Sequence, residues 1–399
     1  MIKGKKILFG ICGSIAIYKL CDVVRQLTLK GAEVIPVLTQ GAKEFVSPLL
    51  FSALSGKKAY TDEDFFDEDI AGALHIKLAK ESDLIVVAPA TADFMAKASQ
   101  GIADSLLLAT LLASKSPVIF FPAMNTNMYE HKATQNNVKK LKEYGYIVYE
   151  PEEGALACGD TGKGRLPSPE VILMTVESIF YPKDLKEKKV LITGGATKEY
   201  IDDVRFITNA SSGKMAYAFA KEAYFRGAEV TLVLGEVKTS FLFPDLSCIS
   251  IKPPKIVKVN TTEEMFEAVN EGFKTIDIVV FASAPVDFKP VKRIKGKLKK
   301  SKVPTLELEL TKDIAYELGK KKQKQIFVGF ALEEKDKLEE YAKDKMQKKN
   351  FDIIIANPIE TIGKDSSNFL IISKNKVVKL ENTSKSELAK KVFDEFIPF

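Results

Sequence analysis

The chain has 399 residues, 59 of them lysine or arginine against 53 acidic, for a net charge of +6; 46% are hydrophobic and 28% charged. That balance fills a core and keeps a polar surface, which excludes a disordered, collagenous or fibrous chain, and the length suggests two or three domains of roughly 100–200 residues. The longest apolar stretches, Leu106–Ala113 and Val118–Ala123, are split by Lys115 and Pro117 and fall short of the roughly 20 residues a membrane span needs, so no membrane partner is expected.

Four cysteines, at 12, 21, 158 and 248, show no pairing rhythm, and with two histidines they cannot build a CxxC zinc site. A reducing cytoplasm is the expected compartment. Lys3, Lys5 and Lys6 before the apolar run from Ile7 to Tyr18 imitate a secretory signal. The same grammar recurs at Lys186, Lys188 and Lys189 before Val190, where no signal can sit, so both runs are read as first strands.

In chain order, the strand Lys6–Gly10 runs into Gly10-Ile-Cys-Gly-Ser14, a turn opening a helix. Its backbone N–H groups suit a phosphate, although a tight turn needing glycine for packing reads equally well. Ala16, Leu20, Val23, Val24 and Leu27 then fall on one helical face. A strand follows at Gly31–Thr39, and His75 sits at the start of an amphipathic helix, where a lone histidine is more often structural than catalytic. The strand opened by Asp83 ends in Pro89-Ala-Thr-Ala-Asp-Phe94, Ser105 lies on the apolar helix beyond, and another strand ends in Pro122-Ala-Met-Asn125 with Met128 one turn on. Gly154–Arg165 is a glycine-rich loop carrying Cys158, of a kind often used as a lid.

The segment Gly31–Thr39 returns as Gly227–Gly235, 196 residues on, again between a glycine-ended strand and one opened by an aspartate, Asp277. Continuous branched runs bounded by glycine or proline suggest strands buried on both faces. The expected fold is α/β, two doubly wound parallel-sheet domains, flavodoxin-like then Rossmann-like, at 1–182 and 188–399, with ligands beyond the carboxyl ends of the strands.

The order and spacing of His75, Pro122–Asn125 and Ala157-Cys-Gly-Asp160 make the first half resemble the flavin-dependent phosphopantothenoylcysteine decarboxylases. The resemblance implies a homo-oligomer with active sites at subunit interfaces and FMN at Gly13, Ser14, Thr39, Ala90, Thr91 and Ser105. It also implies oxidation of a substrate cysteine to a thioaldehyde, loss of CO₂, and reduction of the resulting enethiol. Asn125 would then hold the departing carboxylate without added charge, Met128 would bind substrate, His75 would orient the thiol or accept its proton, and Cys158 would return a proton.

In the second half Thr193-Gly-Gly-Ala-Thr197 follows a strand, and Asn209-Ala-Ser-Ser-Gly-Lys-Met215 offers donors at a later helix start. It is no Walker A loop, since Thr208 stands at the first glycine position and Met215 replaces Ser/Thr. A capped helix explains it as simply. Lysines 289, 292, 295, 297, 299, 300 and 302 with Arg293 form a basic segment without aromatic residues from 290 to 302, which disfavours nucleic acid and suits a loop over a triphosphate. The strings Asn209–Met215, Ala282–Asp287, Lys297–Lys300, Val328–Phe330 and Lys345–Asp352 resemble phosphopantothenate–cysteine ligase, and the order of halves matches the fused enzymes of coenzyme A synthesis.

That resemblance implies 4′-phosphopantothenate, cysteine and CTP as substrates, an acyl-cytidylate intermediate, and Mg²⁺ bridging the CTP phosphates with ligands unassigned. Asn209 would support the acyl-cytidylate and Lys297 the developing charge, with Ala282, Ser283, Asp287, Lys297, Asp313, Phe330, Lys345 and Lys349 at the nucleotide. Ala196 and Asp203 stand where proline is usual, and Thr311-Lys-Asp-Ile314 replaces an Asn-Pro-Asp-Ile string. Rivals are weaker. Tyr341 and Lys345 have the short-chain dehydrogenase spacing without its serine, and a flavin-binding regulatory subunit or a prenylated-flavin synthase explains neither Cys158 nor the second half.

Overall fold

The computed structural model describes residues 1–66, 73–156, 159–299, 305–359 and 364–398. The expected proton donor Cys158 lies outside the described residues, as do Lys300 and Lys302 of the basic segment. Two units are present, Met1–Tyr181 with Pro244–Ser250, and Pro182–Phe243 with Ile251–Phe399.

In the first unit β1 (Lys6–Ile11), β2 (Glu33–Leu38), β3 (Leu84–Ala90), β4 (Val118–Pro122) and β5 (Ile147–Val148) form an all-parallel sheet ordered β2-β1-β3-β4-β5. Successive side chains leave the sheet on opposite faces. Ile7, Phe9 and Ile11 join one core with Val23, Val24 and Leu27 of the helix Leu20–Leu29. Leu8 joins the other with Leu78, Met95 and Leu107. Both faces are therefore covered, which is why these strands read as unbroken apolar runs; each fully buried side chain contributes about 1.5–3 kcal/mol. The helical face expected from Ala16 begins as a 3₁₀ turn, Ile15–Lys19.

The glycine-rich segment expected as a loop contains an antiparallel ribbon, β6 (Glu152–Ala155) with β7 (Thr161–Arg165). It is fastened to the end of β4, because the Met124 N–H donates to the Gly164 carbonyl at 3.0 Å.

The second unit contains β8 (Lys189–Gly194), β9 (Lys198–Tyr200), β10 (Phe206–Thr208), β11 (Glu229–Leu234), β12 (Lys255–Lys258) and β13 (Ile278–Phe281). Beyond them come β14 (Phe288–Pro290), β15 (Leu308–Leu310), β16 (Ile326–Glu333), β17 (Ile353–Pro358), β18 (Ser366–Ser373) and β19 (Val377–Ser384). Its main sheet is ordered β12-β11-β8-β13-β16-β17-β18-β19, parallel as far as β17 and antiparallel at the last two pairings. Pairs β9–β10 and β14–β15 are separate antiparallel ribbons.

One device recurs in both units and explains the repeated aspartates. Asp83, just before β3, accepts the N–H of Lys6 in β1 at 2.8 Å. Asp277, before β13, accepts that of Lys189 in β8 at 2.9 Å, and Asp352, before β17, accepts that of Phe327 in β16 at 2.7 Å. Each carboxylate satisfies a backbone donor that the parallel ladder leaves open at its start.

Candidate functional site

In the first unit capped helical turns follow the carboxyl ends of β1, β2 and β3, and a fourth cap opens the helix Leu106–Ala113. Ser14 accepts from the Ala16 N–H (3.3 Å), Thr39 from Ala42 (3.3 Å), Thr91 from Phe94 (3.3 Å) and Ser105 from Leu108 (3.3 Å). Thr39 spends its own proton on the Ile11 carbonyl (3.3 Å). The hydroxyl protons of Ser14, Thr91 and Ser105 have no acceptor among the described residues, so those three are available as donors. Gly13 lets the first two turns meet: a Cβ there would lie 2.7 Å from the carbonyl carbon and oxygen of Gly41. In a 2-1-3-4-5 sheet the β1/β3 switch point is where a flavin phosphate binds, and hydroxyl and N–H donors at positive helix ends are the chemistry an FMN phosphate requires. The residues present fit FMN.

Beside these turns lies a cleft of about 390 Å³, lined among others by Ser14, Tyr18, Lys19, Met124, Asn125 and Arg165. Asn125 caps the helix Thr126–Glu130, its Oδ1 accepting the Asn127 N–H at 2.9 Å, and its Nδ2 donates to Asp160 at 3.1 Å. The cap orients the amide so that its nitrogen is the outward atom, which suits a carboxylate and not an amine. Lys19 donates to the Leu166 carbonyl (2.7 Å), and burial followed by the charge of Arg165 lowers its pKa. His75, second residue of the helix Leu74–Glu81, meets the Phe65 ring edge-on at 5.4 Å and does not line this cleft. Met128 is 50% exposed and also stands outside it. Of the expected FMN residues only Ser14 lines the cleft itself; Gly13, Thr39, Ala90, Thr91 and Ser105 occupy the strand ends and caps.

In the second unit two cavities adjoin. The larger, about 550 Å³, is lined by Asn209, Ser283, Asp287, Asp313, Phe330, Lys345 and Lys349 together with Thr311 and Leu332. The smaller, about 370 Å³, is lined by Asn209, Ser211–Met215, Ala282, Asn357 and Lys385. Asn209, Ala284, Phe330 and Leu332 line both.

Asn209 donates its amide nitrogen to the carbonyls of Ala284 (3.3 Å) and Pro285 (2.9 Å), which leaves Oδ1 as its open atom. Ser283 and Thr193 share a hydroxyl contact at 2.8 Å that ties the end of β13 to the end of β8. Asp313 caps the helix Ile314–Lys321 through the Tyr316 N–H (3.1 Å) and pairs with Lys349 at 2.7 Å. Lys345 is half-buried; burial first and Lys349 second push its pKa down, against the carboxylates of Glu333, Asp313 and Asp287. Asp287 has no ion pair among the described residues.

The smaller cavity has a different polarity. Gly213, at φ +79°, turns the chain into the helix Lys214–Phe225, a conformation that costs other residues about 1–2 kcal/mol. Ser211, Ser212 and Lys214 stand at that positive helix end. Lys385 joins them from the start of the last helix, its pKa lowered by burial and by Lys214. Lys385 escaped the sequence reading because it lies 171 residues beyond Lys214, in an ordinary capped helix start with no motif around it. Lys19 escaped for the opposite reason, as one polar residue on a helical face that reads as solvent. Lys297 lines neither cavity; it is exposed, on a loop fastened to the β9–β10 ribbon.

The fold and sites define a chain of two ligand-binding α/β units, each with its cavities beyond the carboxyl ends of its parallel strands. Residues 1–180 match the family model described as Flavoprotein, and residues 185–398 match the one described as DNA/pantothenate metabolism flavoprotein C-terminal domain. The chain is 43% identical over 371 residues to the Coenzyme A biosynthesis bifunctional protein CoaBC of Bacillus subtilis (strain 168), covering 91% of this chain and 88% of that one. It is 38% identical over 396 residues to the protein of the same name from Borreliella burgdorferi, covering 98% and 99%. A crystal structure of the C-terminal domain of a Coenzyme A biosynthesis bifunctional protein CoaBC is 36% identical, with a TM-score of 0.43, over 53% of this chain and 94% of that one. The chain belongs to the family of coenzyme A biosynthesis bifunctional proteins.

Proposed function

We propose that the chain performs two consecutive steps of coenzyme A biosynthesis. The domain at 188–399 joins cysteine to 4′-phosphopantothenate with CTP, through an acyl-cytidylate; the domain at 1–182 converts 4′-phosphopantothenoylcysteine to 4′-phosphopantetheine with FMN. The observation that carries the ligase reading is the pair of cavities meeting at Asn209, Ala284, Phe330 and Leu332, one site for each of two anionic substrates that must react.

The larger cavity takes CTP, with Lys345 and Lys349 on the phosphates and Phe330 on the shared wall. Asp287, which has no ion pair among the described residues, supplies carboxylate oxygen for Mg²⁺. That ion keeps several waters and needs few protein ligands, so the lining fits it. The smaller cavity takes 4′-phosphopantothenate, its phosphate at the helix end formed by Ser211, Ser212 and Lys214 with Lys385, its carboxylate toward the shared wall. Asn209, on the shared wall, accepts through Oδ1 from the incoming amine of cysteine, and Lys297, which lies outside both cavities, reaches toward that wall to stabilise the developing charge.

In the first unit the caps of Ser14, Thr91 and Ser105 hold the flavin phosphate and ring edge, while Asn125 holds the substrate carboxylate in the adjoining cleft. Bound FMN supplies a two-electron acceptor and donor for the cysteine-derived carbon. His75 orients the thiol, Met128 contacts substrate, and Cys158 returns the proton. Ile15 and Tyr18 line the cleft yet are 59% and 68% exposed, which supports a second copy completing the site and a homo-oligomer. A reaction that consumes CTP supports a cytoplasmic enzyme. No helix among the described residues is long and apolar enough to cross a membrane.

The ligase half is tested by withholding cysteine. Phosphopantothenate, CTP and Mg²⁺ should then release one pyrophosphate per site and stop, with CMP appearing only when cysteine is added. Release of CMP without cysteine, or no pyrophosphate, contradicts the acyl-cytidylate.

A further inference from the structure

Lys297 is the residue between two anchored neighbours. The turn joining β9 to β10, residues 201–205, grips the basic segment on both sides of it. On one side the Gly296 N–H donates to Asp203 Oδ2 (2.7 Å), the Asp203 N–H donates to the Gly296 carbonyl (3.1 Å), and Arg293 donates to Asp203 Oδ1 (3.0 Å). Arg293 also lies over the Tyr200 ring at 4.8 Å, and the Ile294 N–H donates to the Ile201 carbonyl at 2.9 Å.

On the other side the Leu298 N–H donates to Asp202 Oδ2 (3.0 Å), and Arg205 Nη1 bridges that oxygen (2.7 Å) and the Leu298 carbonyl (3.1 Å). Asp202 Oδ1 takes the N–H groups of Val204 (2.8 Å) and Arg205 (2.6 Å). Asp202 is fully buried. Burial alone would raise its pKa, but the N–H donors of Leu298, Val204 and Arg205 and the Arg205 charge outweigh it and bring the value to about 2. The carboxylate is therefore ionised whenever the enzyme works.

The same ribbon leads to the reacting wall. β10 ends at Thr208, whose hydroxyl donates to the Thr197 carbonyl (2.8 Å), and the next residue is Asn209, which holds Ala284 and Pro285. One short ribbon thus carries the anchor of Lys297 at its turn and Asn209 at its end. A proline at position 203 would supply neither the carboxylate nor the N–H, so the anchor depends on the aspartate found there.

We propose that Asp203, with Asp202 behind it, is a positioning residue for the ligation step: it fixes the Gly296–Leu298 backbone so that Lys297 is presented in constant relation to Asn209. The inference rests on the assignment of Lys297 to charge stabilisation. Misplacement of such a group by about 1 Å costs up to about 100-fold in rate.

The test is a double-variant cycle on the full chain, reading ligase kcat and KM for CTP. Asp203 is half exposed, so Asp203→Ala is expected to fold. It should lower kcat by about tenfold or more with KM within about twofold, because only charge stabilisation in the transition state is lost. Asp203→Asn keeps an oxygen for the Gly296 N–H and should recover most of the rate. Asp203→Ala combined with Lys297→Ala should be no slower than Lys297→Ala alone. Wild-type turnover by Lys297→Ala overturns the role of Lys297 and this inference with it. A slow Lys297→Ala beside a wild-type Asp203→Ala, or losses that multiply in the double variant, overturns this inference alone.

Discussion

Asn125 holds Asp160 through its amide nitrogen at 3.1 Å while its oxygen is committed to the Asn127 N–H at 2.9 Å. The side chain therefore has one face for the helix and one for a carboxylate. Aspartate caps a helix as well as asparagine does, so Asn125→Asp should keep the helix Thr126–Glu130 while losing the donor to Asp160 and placing a negative charge where the substrate carboxylate arrives. Decarboxylation, followed as CO₂ release, is expected to fall by at least about 100-fold, as for loss of one aligned donor. Ligase turnover by the same preparation should be unchanged.

Gly13 and Gly41 pack backbone to backbone, and a methyl group on Gly13 would meet atoms that cannot rotate away. Gly13→Ala is expected to separate the turns after β1 and β2 and to purify without yellow flavin absorbance. Its ligase rate should match the unaltered chain.

Lys345 loses its proton at lower pH than a free lysine, since its pKa is depressed by burial and by Lys349. The cation is present below that shifted value and lost above it, so KM for CTP should rise on the alkaline side. Asp313 opposes the shift and pairs with Lys349. Asp313→Asn keeps the helix cap and should start that rise at lower pH, read from a KM–pH profile.

Glu222 is buried beside Arg226 at 3.6 Å, and burial, opposed by Arg226, raises its pKa from 4.5 to about 7. A raised carboxyl favours the folded state fully below pH 4.5 and loses that contribution as pH climbs through 7. The loss amounts to about 3 kcal/mol across that window. Glu222→Gln cannot ionise, so the drop in thermal midpoint between pH 5 and pH 8.5 should be smaller in the variant, measured by calorimetry.

Much of the fold was legible because its signals are local. Continuous apolar strands flanked by glycine turns state that both sheet faces are covered, and Asp83 and Asp277 mark the repeated unit because each pins the first residue of a neighbouring strand. The motif positions Asn209, Ser283, Asp287, Asp313, Phe330, Lys345 and Lys349 do share one cavity. Strand direction was less accessible: Phe369–Ile372 of β18 is as apolar and buried as the parallel strands, yet β18 pairs antiparallel with both β17 and β19. Glycine weakens strand propensity, so β6 and β7 read as a loop until the Met124–Gly164 hydrogen bond fixes them. Lys297 shows the same limit. Its charge suggests the nucleotide, but its position is set by Asp202 and Asp203, which look like any polar turn.

The central claim is that one chain makes an amide at the cost of a nucleotide and then decarboxylates it with a flavin. The most direct measurement supplies the purified full-length protein with 4′-phosphopantothenate, cysteine, CTP and Mg²⁺ and follows all products together. CMP, pyrophosphate, CO₂ and 4′-phosphopantetheine should accumulate in equal amounts. Accumulation that halts at 4′-phosphopantothenoylcysteine in protein saturated with FMN, or a mixture that releases no CMP, would contradict it.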